Sequence, residues 1–214
     1  MARITVLGGT GYAGSAIVRE ASRRGHDVTS VSRSAPSQPL AGVSYVAGSV
    51  LESELLAAAV AGRDVVVEAV SPRGDMAGKV EGFLDTLISL TAGTSTRLGV
   101  LGGASSLLIA PGGPRLFDVS DIPDENLPEI KTGLALLERL KAAPEDVDWF
   151  YVSPPAEFGA WAPAEETGAY RLSDDVLLRD ETGRSTISAA DLARAILDEI
   201  EQPKHRRRRF HAAH

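Results

Sequence analysis

Ile4-Thr5-Val6-Leu7-Gly8-Gly9-Thr10-Gly11-Tyr12-Ala13-Gly14 carries the strongest structural signal in the chain. A short β-branched run turns on glycine into a helical pattern that continues to about Arg24, with Gly25 placed to end it. Gly9, Gly11 and Gly14 fit G-x-G-x-x-G, and Gly8, Gly11 and Gly14 fit the overlapping G-x-x-G-x-x-G. Such a chain must turn sharply, bring backbone N–H groups close to a ligand and pack its helix tightly on the sheet. The helix N-terminus then presents unpaired N–H groups and a positive dipole end, which suits a pyrophosphate. With a strand before it and a helix after it, the loop predicts a dinucleotide site contacted by Gly8, Thr10, Gly11, Tyr12, Ala13 and Gly14.

Outward from the loop, short β-branched runs alternate with helical patterns, the signature of βαβ units and a parallel sheet. Asp27–Ser32, Val43–Val46, Asp64–Val70, Arg97–Leu101 and Asp148–Val152 read as strands. The continuous apolar run at Asp64–Val70 reads as a central strand buried on both faces. Helices are expected over Glu52–Ala61, roughly Ala77–Thr91, Leu134–Ala142 and, opened by the cap Ser188-Ala189-Ala190-Asp191, as far as Glu201. Pro111 to Pro128 reads as a long surface excursion, and Tyr170–Leu172 with Val176–Leu178 as a small hairpin. The expected fold is a Rossmann-type, doubly wound α/β domain: a mainly parallel sheet, helices on both faces and small C-terminal substrate-side insertions. Residues 1–214 read as one unit.

Of the 214 residues, 43% are hydrophobic and 24% charged, which is too apolar for disorder and ample for a buried core. There is no cysteine, so disulfides, thiolate metal sites and thiol catalysis are excluded. The net charge of −7 argues against nucleic acid or an anionic membrane as the main partner. The basic run Lys204-His205-Arg206-Arg207-Arg208-Arg209 reads as structural, partly solvated and partly beside acidic neighbours. The chain enters its first strand at once, without a charged leader and apolar run, and a cytoplasmic protein is expected. His26, His205, His211 and His214 lack metal-ligand spacing, and no metal is expected.

The tip of the second strand bears on the choice of dinucleotide. An NAD site calls for a carboxylate about twenty residues past the loop, to hold the ribose 2′-hydroxyl. Here the chain runs Ser32-Arg33-Ser34 instead. A guanidinium can take a 2′-phosphate bidentately and flanking hydroxyls can support it, so NADP is expected over NAD.

The glycine loop, Arg24-Gly25-His26, Val31-Ser32-Arg33, Gly102-Gly103-Ala104-Ser105-Ser106-Leu107, Val152-Ser153-Pro154-Pro155-Ala156, Thr167-Gly168-Ala169-Tyr170-Arg171 and the closing Arg209-Phe210 occur in an order that resembles the atypical short-chain dehydrogenase/reductases. The nearest group is the NAD(P)H-binding, NmrA-like and biliverdin/flavin-reductase-like branch. The resemblance implies an adenine-side contact at Gly48-Ser49, where the family usually carries an aspartate after the glycine, so that contact is altered here. It also implies that Ala69, Val70, Ser71, Gly103 and Ala104 pass along the ribose and nicotinamide. Ser153, Pro154 and Pro155 would lie beside the nicotinamide ring.

The Tyr-x-x-x-Lys pair of typical short-chain dehydrogenases is absent, since Tyr12, Tyr45, Tyr151 and Tyr170 are followed four residues later by Ala16, Ser49, Pro155 and Asp174. Ser105 is a candidate to polarise a substrate carbonyl, or else a turn serine satisfying local backbone. Lys131, placed before the helix at Leu134, could reach the site or be solvated. Glu157, Trp161 and Tyr170 could line a substrate pocket or simply pack. The expected activity is an NADPH-preferring reductase of a small planar electron acceptor such as a flavin or quinone, which needs no tyrosine acid. A non-catalytic dinucleotide sensor is the alternative, and a sugar-nucleotide epimerase or dehydratase a weaker one. A small-molecule acceptor is the expected partner, with homodimer formation left open.

Overall fold

The computed structural model describes residues 1–214. Its strands are β1 (Arg3–Leu7), β2 (Asp27–Ser32), β3 (Val43–Ala47), β4 (Val65–Glu68), β5 (Arg97–Leu101), β6 (Trp149–Ser153), β7 (Arg171–Ser173) and β8 (Arg208–Ala213). They form one sheet in the order β3-β2-β1-β4-β5-β6-β8-β7, parallel throughout except for β7 against β8. The helices are α1 (Tyr12–Arg23), α2 (Ser53–Val60), α3 (Val80–Thr91), the short α4 (Leu116–Val119), α5 (Leu127–Lys141) and α6 (Ala189–Glu201).

Alternation along each strand sorts the core into two layers. Val65 and Val67 of β4 and Phe150 and Val152 of β6 pack with α1 and α6, while Val66, Val100 and Tyr151 pack with α2, α3 and α5. Strand order reverses between β1 and β4, because the chain winds outward through β2 and β3 before returning to lay β4 on the other side of β1. None of the helices is long and apolar enough to cross a membrane.

Two sequence expectations change. Tyr170–Leu172 and Val176–Leu178 do not form a hairpin with each other; β7 pairs antiparallel with the C-terminal strand β8, and Val176 makes only a bridge to Leu108. The partner of an edge segment is set by which strand edge is open, which local turn residues do not encode. The expected excursion from Pro111 to Pro128 is partly helical: α4 lies within it and α5 starts at Leu127. Pro128 falls in the first turn, where a missing N–H goes unnoticed.

The Ser188 cap forms as expected, its hydroxyl accepting from Asp191 N–H at 2.9 Å. The basic run is spread over partners: Arg206 on Asp148, Arg207 on the carbonyls of Ala143, Pro144 and Val147, Arg208 on Asp174 and Arg209 on Asp175 and Ser106.

Candidate functional site

Doubly wound sheets hold ligands outside the carboxyl ends of the strands, where strand order reverses. The loop Gly8–Gly14 lies there, directly after β1. Gly8 has φ +84° and donates its N–H to Val31 O at 2.9 Å, which fastens the loop to β2. A Cβ on Gly8 would stand 2.6 Å from Ala69 O, and one on Gly14 2.2 Å from Gly8 O. Helix α1 therefore rides against the loop, and the loop against the end of β4, with no room for a side chain.

The amides of Thr10, Tyr12, Ala13 and Gly14 have no partner within the chain, and the first turn of α1 holds no acidic residue. Several N–H donors at a positive dipole end, around a cradle that a Cβ would fill, fit a pyrophosphate. Tyr12 packs edge-on against Phe158 at 5.4 Å between ring centroids, tying the loop to the segment after Pro154-Pro155.

At the tip of β2, Ser32 is buried, with its hydroxyl on Ser34 O at 3.0 Å, while Arg33 and Ser34 are exposed. The Arg33 guanidinium meets Asp75, on the segment after β4, at 2.6 Å. Gly48 donates to Ser32 O at 2.9 Å, and the Ser49 hydroxyl accepts from Leu51 N–H, so this pair shapes its own turn beside the β2 tip. Ala69 is bonded to Leu7 O at 2.9 Å, Val70 adjoins Gly8, and Ser71 is exposed.

At the next strand ends, Gly103 N–H donates to the Tyr151 hydroxyl at 3.1 Å, and that hydroxyl donates to Gly133 O of α5 at 2.9 Å. Ala104 and Ser105 open a turn closed by Leu107 N–H on Ala104 O; the Ser105 hydroxyl is half-buried and makes no hydrogen bond. Ser153, Pro154 and Pro155 are buried at the end of β6. Lys131 lies inside α5, not before a helix, exposed and unpaired. Of the pocket candidates, Glu157 pairs with Arg184, Tyr170 donates to Asp198, and Trp161 is 64% exposed. The structure thus gathers the glycine loop and the ends of β2, β4, β5 and β6 at one edge of the sheet and leaves Lys131 on the surface of α5.

Three polar groups at this edge were not among the site residues expected from the sequence. Glu68 ends β4, is fully buried, accepts Val70 N–H at 2.8 Å on Oε1, and has no partner on Oε2. Burial pushes its carboxyl up to about 8, so it is largely neutral at pH 7. Burial likewise pushes the Tyr151 phenol up to about 12. His211 of β8 rests its Nδ1 on Ser153 O at 2.8 Å, and burial pushes it down to about 4, so this imidazole is neutral. A carboxylate closing a run of valines was the available signal for Glu68, since such a strand offers no solvent face.

The unfolded chain ionises Glu68 near the ordinary carboxyl value, well below the folded one. Stability is therefore withdrawn as pH rises between the two and stays low above about 8. Glu68→Gln keeps the acceptor for Val70 and cannot ionise. It is expected to exceed the wild type by on the order of 3 kcal/mol at pH 7 and to match it near pH 4 in urea unfolding.

The family model described as NAD(P)H-binding matches residues 8–203. The uncharacterized protein YwnB of Bacillus subtilis is 35% identical over 97% of this chain and 96% of its own length. The crystal structure of a putative NADH-flavin reductase from Streptococcus pneumoniae superposes with a TM-score of 0.88 at 32% identity, covering 100% of this chain and 99% of that one. That of a putative epimerase from Bacteroides thetaiotaomicron gives 0.86 at 32% identity, covering 100% and 98%. The glycine cradle, the reversal at β1 and β4 and a match over nearly the whole length lead to one conclusion: the chain belongs to the NAD(P)H-binding family of Rossmann-like proteins, on the side of the atypical short-chain dehydrogenase/reductases.

Proposed function

We propose that the protein is an NAD(P)H-dependent oxidoreductase that prefers NADPH and reduces a small planar acceptor, a flavin or a quinone. The observation that carries the reading is the side-chain-free cradle with unpaired amides, continuous with the ends of β4, β5 and β6. In this reading Gly8, Thr10, Gly11, Tyr12, Ala13 and Gly14 hold the pyrophosphate. Ser32, Arg33 and Ser34 take the 2′-phosphate end, and Gly48 and Ser49 flank the adenine. Ala69, Val70, Ser71, Gly103 and Ala104 follow the ribose and nicotinamide, with Ser153, Pro154 and Pro155 beside the ring.

The bound cofactor supplies the hydride. The chain's own work is to hold, orient and dry the site: Pro154 and Pro155 present buried apolar surface, and Ser105 offers a hydroxyl without a partner to a carbonyl oxygen. Without a Tyr-x-x-x-Lys acid, an acceptor that draws its proton from water suits the site better than an alcohol–carbonyl pair. The flavin reductase description of the Streptococcus relative supports the same acceptor class. The engagement of Arg206 to Arg209 with aspartates and carbonyls supports leaving nucleic acid out.

The test is NADPH oxidation with and without added flavin or quinone, together with Arg33→Ala. The 2′-phosphate must displace Asp75 from Arg33; both side chains are exposed, so that exchange costs about 1 kcal/mol or less. Arg33→Ala is expected to weaken NADPH by about 10- to 100-fold and NADH by less than about twofold. Equal losses would overturn the 2′-phosphate assignment. Tight binding with no turnover across flavins, quinones and carbonyls would make the protein a dinucleotide sensor instead.

A further inference from the structure

Glu68 is the one carboxyl group at the site edge that is fully buried with an oxygen lacking any partner. Its position is unusual in a second way. In register it faces Leu7, the residue before the glycine loop, so it closes the strand on the far side of the reversal point from β2. Its Oε1 holds Val70 N–H at 2.8 Å, and the segment so held, Ala69-Val70, is what Gly8 packs against at a distance no Cβ could enter. This side chain, together with Ala69 N–H on Leu7 O at 2.9 Å, fixes the turn that backs the glycine loop.

We propose that Glu68 is a positioning residue for the dinucleotide, its carboxyl group holding the Ala69-Val70-Ser71 turn against Gly8, and that dinucleotide binding is thereby coupled to the protonation of this single side chain. The inference rests on the dinucleotide reading of the glycine loop. A neutral carboxyl group backs the loop without opposing an anion. Ionised, it places a negative charge in a low-dielectric layer behind a site built for a pyrophosphate, and the buried charge draws water into the turn. By linkage, a ligand that disfavours the ionised form must raise the proton affinity of Glu68, so binding takes up protons near and above pH 8.

No cation pairs with Glu68. Along the same row of the sheet stand Val100 and the neutral phenol of Tyr151, then Arg209 on β8, which is committed to Asp175 and Ser106. On the helices packed over this face, Glu81 of α3 accepts from Thr132 of α5 at 2.8 Å, Glu54 of α2 is exposed, and Lys131 is exposed on α5. Phosphate-loop geometry alone would give binding no such pH dependence, because backbone amides do not titrate here.

The experiment is calorimetric titration of the full chain with NADH and with NADPH from pH 6 to 9.5, for the wild type and Glu68→Gln, in buffers of differing ionisation enthalpy. Cofactor titration and surface lysines cancel in the difference between the two proteins. The expected result is a wild-type Kd that weakens about tenfold more than that of Glu68→Gln between pH 7 and 9.5, with proton uptake in the wild type alone. Parallel pH profiles for the two proteins would overturn the proposal while leaving the dinucleotide reading standing. Absence of binding to the wild type at every pH would instead remove the reading on which it rests. Should Glu68→Gln fail to fold, infrared difference spectra of the wild type decide. A protonated-carboxyl band present at pH 7, lost at pH 9.5 and restored by NADH is expected; a band unchanged by NADH would sink the coupling.

Discussion

Gly14→Ala is expected to lower the affinity for NADPH and NADH alike by at least about 100-fold while the sheet stays assembled. The added Cβ would stand 2.2 Å from Gly8 O and 2.9 Å from Gly8 C, and both are backbone atoms that no rotamer change can move aside. Either the loop shifts outward by about an ångström or α1 lifts from it. Both movements part the unpaired amides of Tyr12 and Ala13 from the position at which they converge. Hydrogen bonds to charged groups are worth about 1.5–3 kcal/mol each, so loss of two accounts for the fall in affinity.

Gly25→Ala is the matching control. Gly25 has φ +78° but open space around it, so alanine there adds only backbone strain of about 1–2 kcal/mol and leaves binding intact. Calorimetric titration with circular dichroism on both variants separates the two effects. Binding by Gly14→Ala within about threefold of the wild type would show that the phosphates dock elsewhere.

The largest stability loss is expected far from the crevice, at the amino end of β5. Arg97 and Glu199 form an ion pair at 2.6 Å with side chains only 6% and 3% exposed. The guanidinium also donates to Glu199 O and His205 O and lies 4.6 Å from the centroid of the Phe150 ring. Burial alone would raise the Glu199 carboxyl. Hydrogen bonds from His205 N–H, Arg97, the His205 ring and Lys204 N–H outweigh it and hold the group below its usual value.

Removing Glu199 leaves the buried guanidinium with only the Asp148 carboxylate, at 3.5 Å, so Glu199→Ala is expected to cost about 3–5 kcal/mol in urea unfolding at pH 7. Arg97→Met with Glu199→Leu should recover only part of that, because it removes both buried charges but leaves the Lys204 and His205 N–H groups without their acceptor. The folded value of Glu199 lies below the unfolded one, so this contribution is present at neutral pH. It is lost as pH falls through the folded value, the opposite slope to that of Glu68. Dinucleotide affinity should be unchanged in the double variant, since the pair sits at the opposite end of the sheet from the glycine loop. A loss below about 1 kcal/mol would mean that water reaches the pair.

Much of this molecule is legible along the chain because its information is local. The glycines around Thr10 announce a turn that tolerates no Cβ, the valines of β4 announce burial on both faces, and Ser188 announces a cap; all three follow from backbone sterics and short-range hydrogen bonding. Pro128 does not mark its helix in the sequence, because a proline in a loop and one in a first helical turn look alike there. The partner of β7 was likewise hidden, since an open strand edge exists only once β8 has been laid down.

The same division runs through the site. The amino-acid sequence alone carries the glycine cradle and the cation at Arg33, whose chemistry lies in residue type and spacing. It could not determine that Arg33 meets Asp75, that Tyr151 braces Gly103 from beneath, or that Lys131 rides on α5. Least of all could it assign a protonation state to Glu68. The charge of a carboxyl group is set by what surrounds it, and the surroundings of Glu68 come from strands and helices distant in sequence that only the folded sheet brings together.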